Sequence, residues 1–220
     1  MKVKINFPDK KSKLALLELQ LKNINVSLEV AESRLTLAGP KAEDMARYGY
    51  DHIEAIYNQD KSTWIDAFNS DPVLHKWFGS VTKESHVKKV RDRMKGIFNH
   101  VFNGYTIGLK PENDNSPLAI TMGVANITNT RFRVYPSLIK RDIWEIAETI
   151  IHEIGHQWFT DQKLGSTKVY GEVIAGDLAK YDPTKARRST ENYSIFCAKI
   201  HQSKGKRVKG KGYFKASIEL

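Results

Sequence analysis

From Asp142 to His156 the chain carries every signal a helix needs, and this segment constrains the fold more than any other. Asp142 can cap it, and Glu145 stands three residues on, where a capping box places an acid or amide. Ile143, Ile146, Ala147, Ile150, Ile151 and Ile154 recur at helical spacing and form one apolar face. The flanks Thr149-Ile150-Ile151 and Gln157-Trp158-Phe159 are uncharged, as burial beneath a cleft requires.

Inside this helix lies His152-Glu153-Ile154-Gly155-His156. Two histidines four apart share a face one turn apart, so both imidazoles can reach one cation. Glu153 points about 100° away around the helix. It can approach a metal-held water without ligating the metal, and accept its proton as the water attacks a carbonyl. The competing reading is a core helix whose histidines hydrogen-bond to neighbours. A closed structural zinc site would draw on several cysteines, and Cys197 is the single one in the chain. An open, catalytic site with a third ligand of another type fits better.

The 220 residues suffice for one well-buried core, and 40% hydrophobic residues describe a globular chain. No apolar run approaches the roughly 20 residues of a membrane span, and the first residues lack the apolar stretch of a secretory signal. With one cysteine there is no internal disulfide. The expected setting is the cytosol, or export by a route independent of a signal peptide. The net charge of +10 is concentrated late, in Lys185, Arg187, Arg188 and the Gly-spaced basic run after Lys199. That run reads as a solvated tail; its functional alternative is an arm for nucleic acid or an acidic partner. No base-reading motif accompanies it.

Three regions are expected: a short β-rich segment over 1–40, a main domain over 41–202 and the basic tail over 203–220. The first rests on the alternation in Asn25 to Val30 and Ser33 to Leu37, closed by Gly39-Pro40. Helical spacing follows in Ala42, Met45, Ile53 and Ile56, and again in Val87, Val90, Met94, Ile97 and Val101. Trp77-Phe78-Gly79 reads as a helix end locked into the core. Leu118, Ile120, Met122 and Val124 alternate as a strand, with Phe132 to Tyr135 as its partner and Thr128 to Thr130 as the turn. Cys197 shares a helix with Tyr193, Phe196 and Ile200 and belongs to the core.

From about residue 42 to 200 the chain resembles the deuterolysin and peptidyl-Lys metallopeptidase family, zincins whose third zinc ligand is an aspartate. The resemblance rests on the histidine motif, on Trp77-Phe78-Gly79 with the helix holding Val87 and Val90, and on Tyr170-Gly171-Glu172. Leu178-Ala179, Asp182-Pro183, Lys185-Ala186, Glu191-Asn192 and Phe196 continue it. It implies an α+β zincin-like domain, mostly helical, with a small sheet beside the active-site helix. It also implies a zinc-dependent endopeptidase. His152 and His156 would hold the Zn2+, Glu153 would be the general base, and Tyr170 would donate its hydroxyl to the oxyanion. Glu191 matches a position that receives the ammonium of a substrate's lysine, and one carboxylate could attract a lysine or arginine; Ser194 stands where a second acid is expected.

The chain departs from the family at the third ligand. Three residues before Tyr170 stands Thr167, not aspartate. Asp161, directly after Thr160, is the preferred substitute, with the family motif split by the residues from Gln162 to Lys168. Glu172 and Asp177 are the other carboxylates within reach. The segment Ile120 to Tyr135 is the candidate edge for binding an extended peptide. The expected partners are a peptide or protein substrate and an inhibitor or immunity protein, with no membrane and no nucleic acid. Absent disulfides suggest an effector or toxin setting. The alternative is a basic, non-catalytic binding module with a degenerate metal site.

Overall fold

The computed structural model describes residues 3–113, 119–121, 131–156 and 170–204. Strand β1 (Val3–Asn6) leads into α1 (Lys11–Asn23) and the long α2 (Leu28–Tyr57). After a single 3-10 turn come α3 (Trp64–Ser70), α4 (Pro72–Phe78) and α5 (Glu84–Asn103). Strands β2 (Tyr105–Leu109), β3 (Ala119–Thr121) and β4 (Arg131–Val134) follow, then the short α6 (Pro136–Ile139). Helices α7 (Ile143–Gly155), α8 (Glu172–Tyr181), α9 (Pro183–Ala186) and α10 (Thr190–Ser203) complete the described chain. The architecture is α+β and mostly helical, as expected. No described helix is long and apolar enough to cross a membrane.

The sheet runs in the order β1-β2-β4-β3. β1 and β2 are parallel with Val3 opposite Tyr105, and β2 and β4 are parallel with Ile107 opposite Phe132. β3 is antiparallel to β4, Ile120 facing Arg133, and forms one edge. In β2, Tyr105, Ile107 and Leu109 are buried while Thr106 and Gly108 between them are half-buried, the two-residue period of a strand with one face on the core. β3 lies against α7, so the sheet flanks that helix. The expected turn at Thr128 to Thr130, and Met122 and Val124, lie outside the described residues.

The β-rich reading of residues 1–40 is overturned. Beyond β1 this stretch is helical, and α2 runs unbroken through Gly39 and Pro40. Ala31, Leu35, Ala38, Ala42, Met45, Ala46 and Ile53 are all fully buried along one stripe of α2. A strand would place Leu35 and Leu37 on one face; in the helix Leu35 is buried and Leu37 is 56% exposed. Each fully buried aliphatic side chain stabilises the fold by roughly 1.5–3 kcal/mol. A continuous stripe therefore outweighs the cost of an interior proline, about 3 kcal/mol. Pro40 is also tolerated because it faces solvent.

α7 forms as its sequence demands. Asp142 Oδ1 accepts from the Trp144 N–H at 2.8 Å, and Glu145 reaches back to the Asp142 N–H at 3.3 Å, closing the capping box. Ile146, Ala147, Ile150, Ile151 and Ile154 are fully buried, packed against α2 and α10. At the end of α4, Trp77 and Phe78 are buried and Gly79 adopts φ +64°, where a Cβ would strike the Ala179 carbonyl and Pro183. Only glycine allows α4 to stop this close to α8 and α9. Cys197 is buried, its Sγ 3.6 Å from Met94 Sδ, and burial pushes its thiol well above its ordinary range.

Candidate metal centre

The last turns of α7 bring His152, Glu153 and His156 together, with one ligand atom from each within 4.8 Å of the others. The two histidine Nε2 atoms are 3.0 Å apart, with the rings nearly perpendicular at 82°. Two nitrogens on one tetrahedral zinc, each at about 2.0–2.1 Å, stand about 3.3 Å apart. The pair thus fits a shared cation with almost no movement.

What fixes His152 is Glu191, on the first turn of α10. Its Oε2 lies 2.8 Å from His152 Nδ1, and its Oε1 accepts from the Gly171 N–H at 2.6 Å. A proton on Nδ1, donated to the carboxylate, leaves the Nε2 lone pair directed at His156 and the metal position. Glu191 is only 4% exposed, so this bond is shielded from water. Glu191, the residue matched to a substrate's ammonium, thus has both carboxylate oxygens bonded to the protein.

The same carboxylate anchors the chain that carries Tyr170. Gly171, at φ +87°, turns the backbone so that its N–H meets Glu191. Tyr170 is then 58% exposed, its ring 5.9 Å from that of His152 and inclined by 29°. Its ring therefore lies beside the histidine pair. Asn192, beside Glu191 and fully buried, donates to the carbonyls of Trp77 and Ala175, both at 2.8 Å. These bonds tie α4 and α8 to α10 and hold the Tyr170 segment in place.

Asp161 lies outside the described residues. Of its alternatives, Glu172 sits at the start of α8 with Oε1 against Lys199 Nζ, and Asp177 is exposed further along α8. Neither joins the histidine cluster.

No protein-family sequence profile matches the chain, and no curated protein matches it. Among solved structures it is similar to a zinc peptidase from Grifola frondosa, with a TM-score of 0.58 and 19% identity over 79% of this chain and 95% of that one. The fold is that of a zinc peptidase.

Two further groups beneath the centre escaped the sequence reading. Glu148, one turn before His152 on α7, is buried, and its Oε2 has no hydrogen-bond partner among the described residues. Burial, with the charges of Glu191 and Glu172 beside it, pushes its carboxyl up to about 8. Lys199, from α10, supplies the nearby positive charge through its pair with Glu172. The spacing of 148 to 152 was a usable signal, since residues four apart share a helix face. Lys199 carried none, because its partner is 27 positions away.

Proposed function

We propose that this chain is a zinc-dependent metalloendopeptidase. The observation that carries the reading is the pair of Nε2 atoms 3.0 Å apart, with His152 turned towards His156 by a buried carboxylate. The Nε2 approach alone would also suit a hydrogen bond between the two histidines; the buried Glu191 carboxylate on His152 Nδ1, the usual partner behind a metal-ligating histidine, favours the metal. His152 and His156 hold the metal. Asp161 completes the set, a choice supported by the engagement of Glu172 with Lys199 and the exposure of Asp177. Bound zinc supplies the Lewis acidity that lowers the pKa of water towards about 7 and polarises a carbonyl.

The chain's own groups do the rest. Glu153, buried within the same cluster, takes the proton from the attacking water and returns it to the departing amide nitrogen. Tyr170 donates its hydroxyl to the carbonyl oxygen as negative charge develops there, which favours the transition state over the substrate. Glu191 positions His152. β3, at the sheet edge beside α7, offers backbone hydrogen bonds to an extended peptide. A preference for a basic residue after the scissile bond would need a carboxylate other than Glu191, which is already engaged. An effector or toxin role, with a protein substrate and an inhibitor or immunity partner, is compatible with this chemistry.

The test is metal content and peptide cleavage measured together. Protein purified without chelator should carry about one zinc per chain, and Glu153→Gln should retain it while hydrolysis of an unstructured protein substrate is lost. Undiminished cleavage by Glu153→Gln would remove the mechanism. A metal-free protein that binds nucleic acid in a salt-sensitive way would favour the basic binding module instead.

A further inference from the structure

Two of the late basic residues that the metal chemistry leaves unused, Arg187 and Arg188, meet basic residues of α5 elsewhere in the fold. α5, α9 and the turn from α9 to α10 enclose a cavity of about 270 Å³ lined by His86, Lys89, Arg93, Thr184, Arg187 and Arg188. Four of these six side chains are permanent cations at neutral pH, a fifth is an imidazole, and none is a carboxylate. We propose that this cavity is an oxyanion site that receives a phosphate group, either free phosphate or the phosphate of a small polyphosphorylated molecule.

The cavity is built rather than superficial. Arg187 is only 7% exposed, and its guanidinium is fixed by neutral acceptors: the carbonyls of Phe78 and Ser80 at 3.3 and 3.0 Å and the Thr184 hydroxyl at 3.4 Å. These bonds orient the group without neutralising it. Asp182, the carboxylate whose charge reaches Arg187, already bonds to the Lys185 N–H at 3.0 Å and pairs with its ammonium at 3.2 Å. Arg93 donates to the Arg187 carbonyl, which draws a second guanidinium to the same rim. His86 Nδ1 is buried with no hydrogen-bond partner among the described residues.

Crowded positive charge of this kind is costly in a partly desolvated space. Burial and then the charges of Arg187 and Lys89 lower the His86 pKa, and burial, with Arg93 beside it, lowers that of Arg187. A tetrahedral oxyanion removes the cost, because guanidinium forks and an ammonium match its oxygens. An anion seated there would also fasten α5 to the turn that begins α10, the helix that carries Glu191.

The experiment is thermal unfolding of the full, metal-loaded chain with inorganic phosphate or tripolyphosphate, against chloride at equal ionic strength. Anion at tenfold excess over its dissociation constant should raise the melting temperature by about 3–6 °C. Lys89→Glu, at an exposed position that does not threaten folding, and the pair Lys89→Gln with Arg188→Gln should abolish the rise. Lys206→Gln with Arg207→Gln, removing the same number of charges from the tail, should keep it. Tripolyphosphate saturating at a concentration ten or more times lower than phosphate identifies a polyphosphorylated ligand; equal saturation identifies free phosphate. No rise with either anion, or a rise that survives Lys89→Glu, overturns the site, the second outcome placing the anion on the tail or the metal.

Discussion

The two faces of the helical core are built on opposite principles. Where α2 meets α5 the contact is apolar: Met45, Ile53, Val90, Met94 and Ile97 are fully buried, and charge is confined to the rim, where Arg91 pairs with Glu54. Where α7 meets α10 buried polar groups enter the contact, with Glu148, His152 and Glu153 on α7 and Glu191 on α10 bonded to His152. Removing apolar surface from water stabilises by roughly 25 cal/mol per Å², whereas buried polar groups at best offset their own desolvation through their bonds. Stability is therefore concentrated at the first contact and chemistry at the second. α2 touches α5, α7 and α10 alike, so the apolar face holds the polar one in shape.

The sharpest way to break this comparison is to change each side and ask which property falls. On the polar side, Glu153→Gln should lower kcat by about 10²–10⁴-fold, the usual contribution of a general base. Its melting temperature should stay close to that of the parent, because the amide keeps the size and shape of the buried side chain. Peptide turnover and calorimetry on one preparation would check both. On the apolar side, Ile97→Ala should cost about 2–5 kcal/mol of stability. Zinc content and turnover of the folded fraction should stay at the parent's level. A loss of turnover without a loss of stability in Ile97→Ala would show that the two faces are not separable.

The same division explains what could be read from the sequence. α7 was legible because its signals agree: the Asp142 and Glu145 cap, the isoleucine period and the two histidines one turn apart all demand the same helix. α2 was not, because Gly39 and Pro40 punctuate it locally and its first half alternates polar and apolar residues by coincidence. Burial of Leu35 and Ala38 against a distant part of the chain decides the matter, and no local rule reports it. Of the centre, His152, Glu153 and His156 were visible because one element supplies all three. The bond of Glu191 to His152 joins residues 39 apart across two helices. Its position was found by resemblance, but its partner follows only from how α10 packs on α7.

Glu191→Gln sharpens the polar side further. An amide has one acceptor oxygen, so it can serve His152 Nδ1 or the Gly171 N–H, but not both as the carboxylate does. Zinc affinity should fall by about 10–100-fold, as is usual when a carboxylate behind a ligating histidine is altered. A competition titration against a chelator would measure it. With zinc saturating, any remaining loss of kcat would report the displaced Tyr170 segment. An unchanged zinc affinity would mean that His152 is oriented by packing alone.

The smallest effect belongs to the charged rim of the apolar side. Arg91 Nε and Nη2 reach the two oxygens of Glu54 at 2.6 and 2.8 Å, joining α5 to α2. Those bonds hold the Glu54 carboxyl below its ordinary value of 4.5. A carboxyl whose pKa is depressed by folding binds fewer protons in the folded state, so its stabilisation is fully present above about pH 4.5. It is lost as pH falls through the depressed value. Glu54→Gln should therefore cost about 1 kcal/mol at pH 7, discounted because the pair is partly solvated, and nothing once the parent's carboxyl is protonated. Urea midpoints measured stepwise from pH 7 down the acid limb would read the difference. Zinc affinity at pH 7 should be indifferent to the substitution, since this rim pair bonds to none of the groups behind His152.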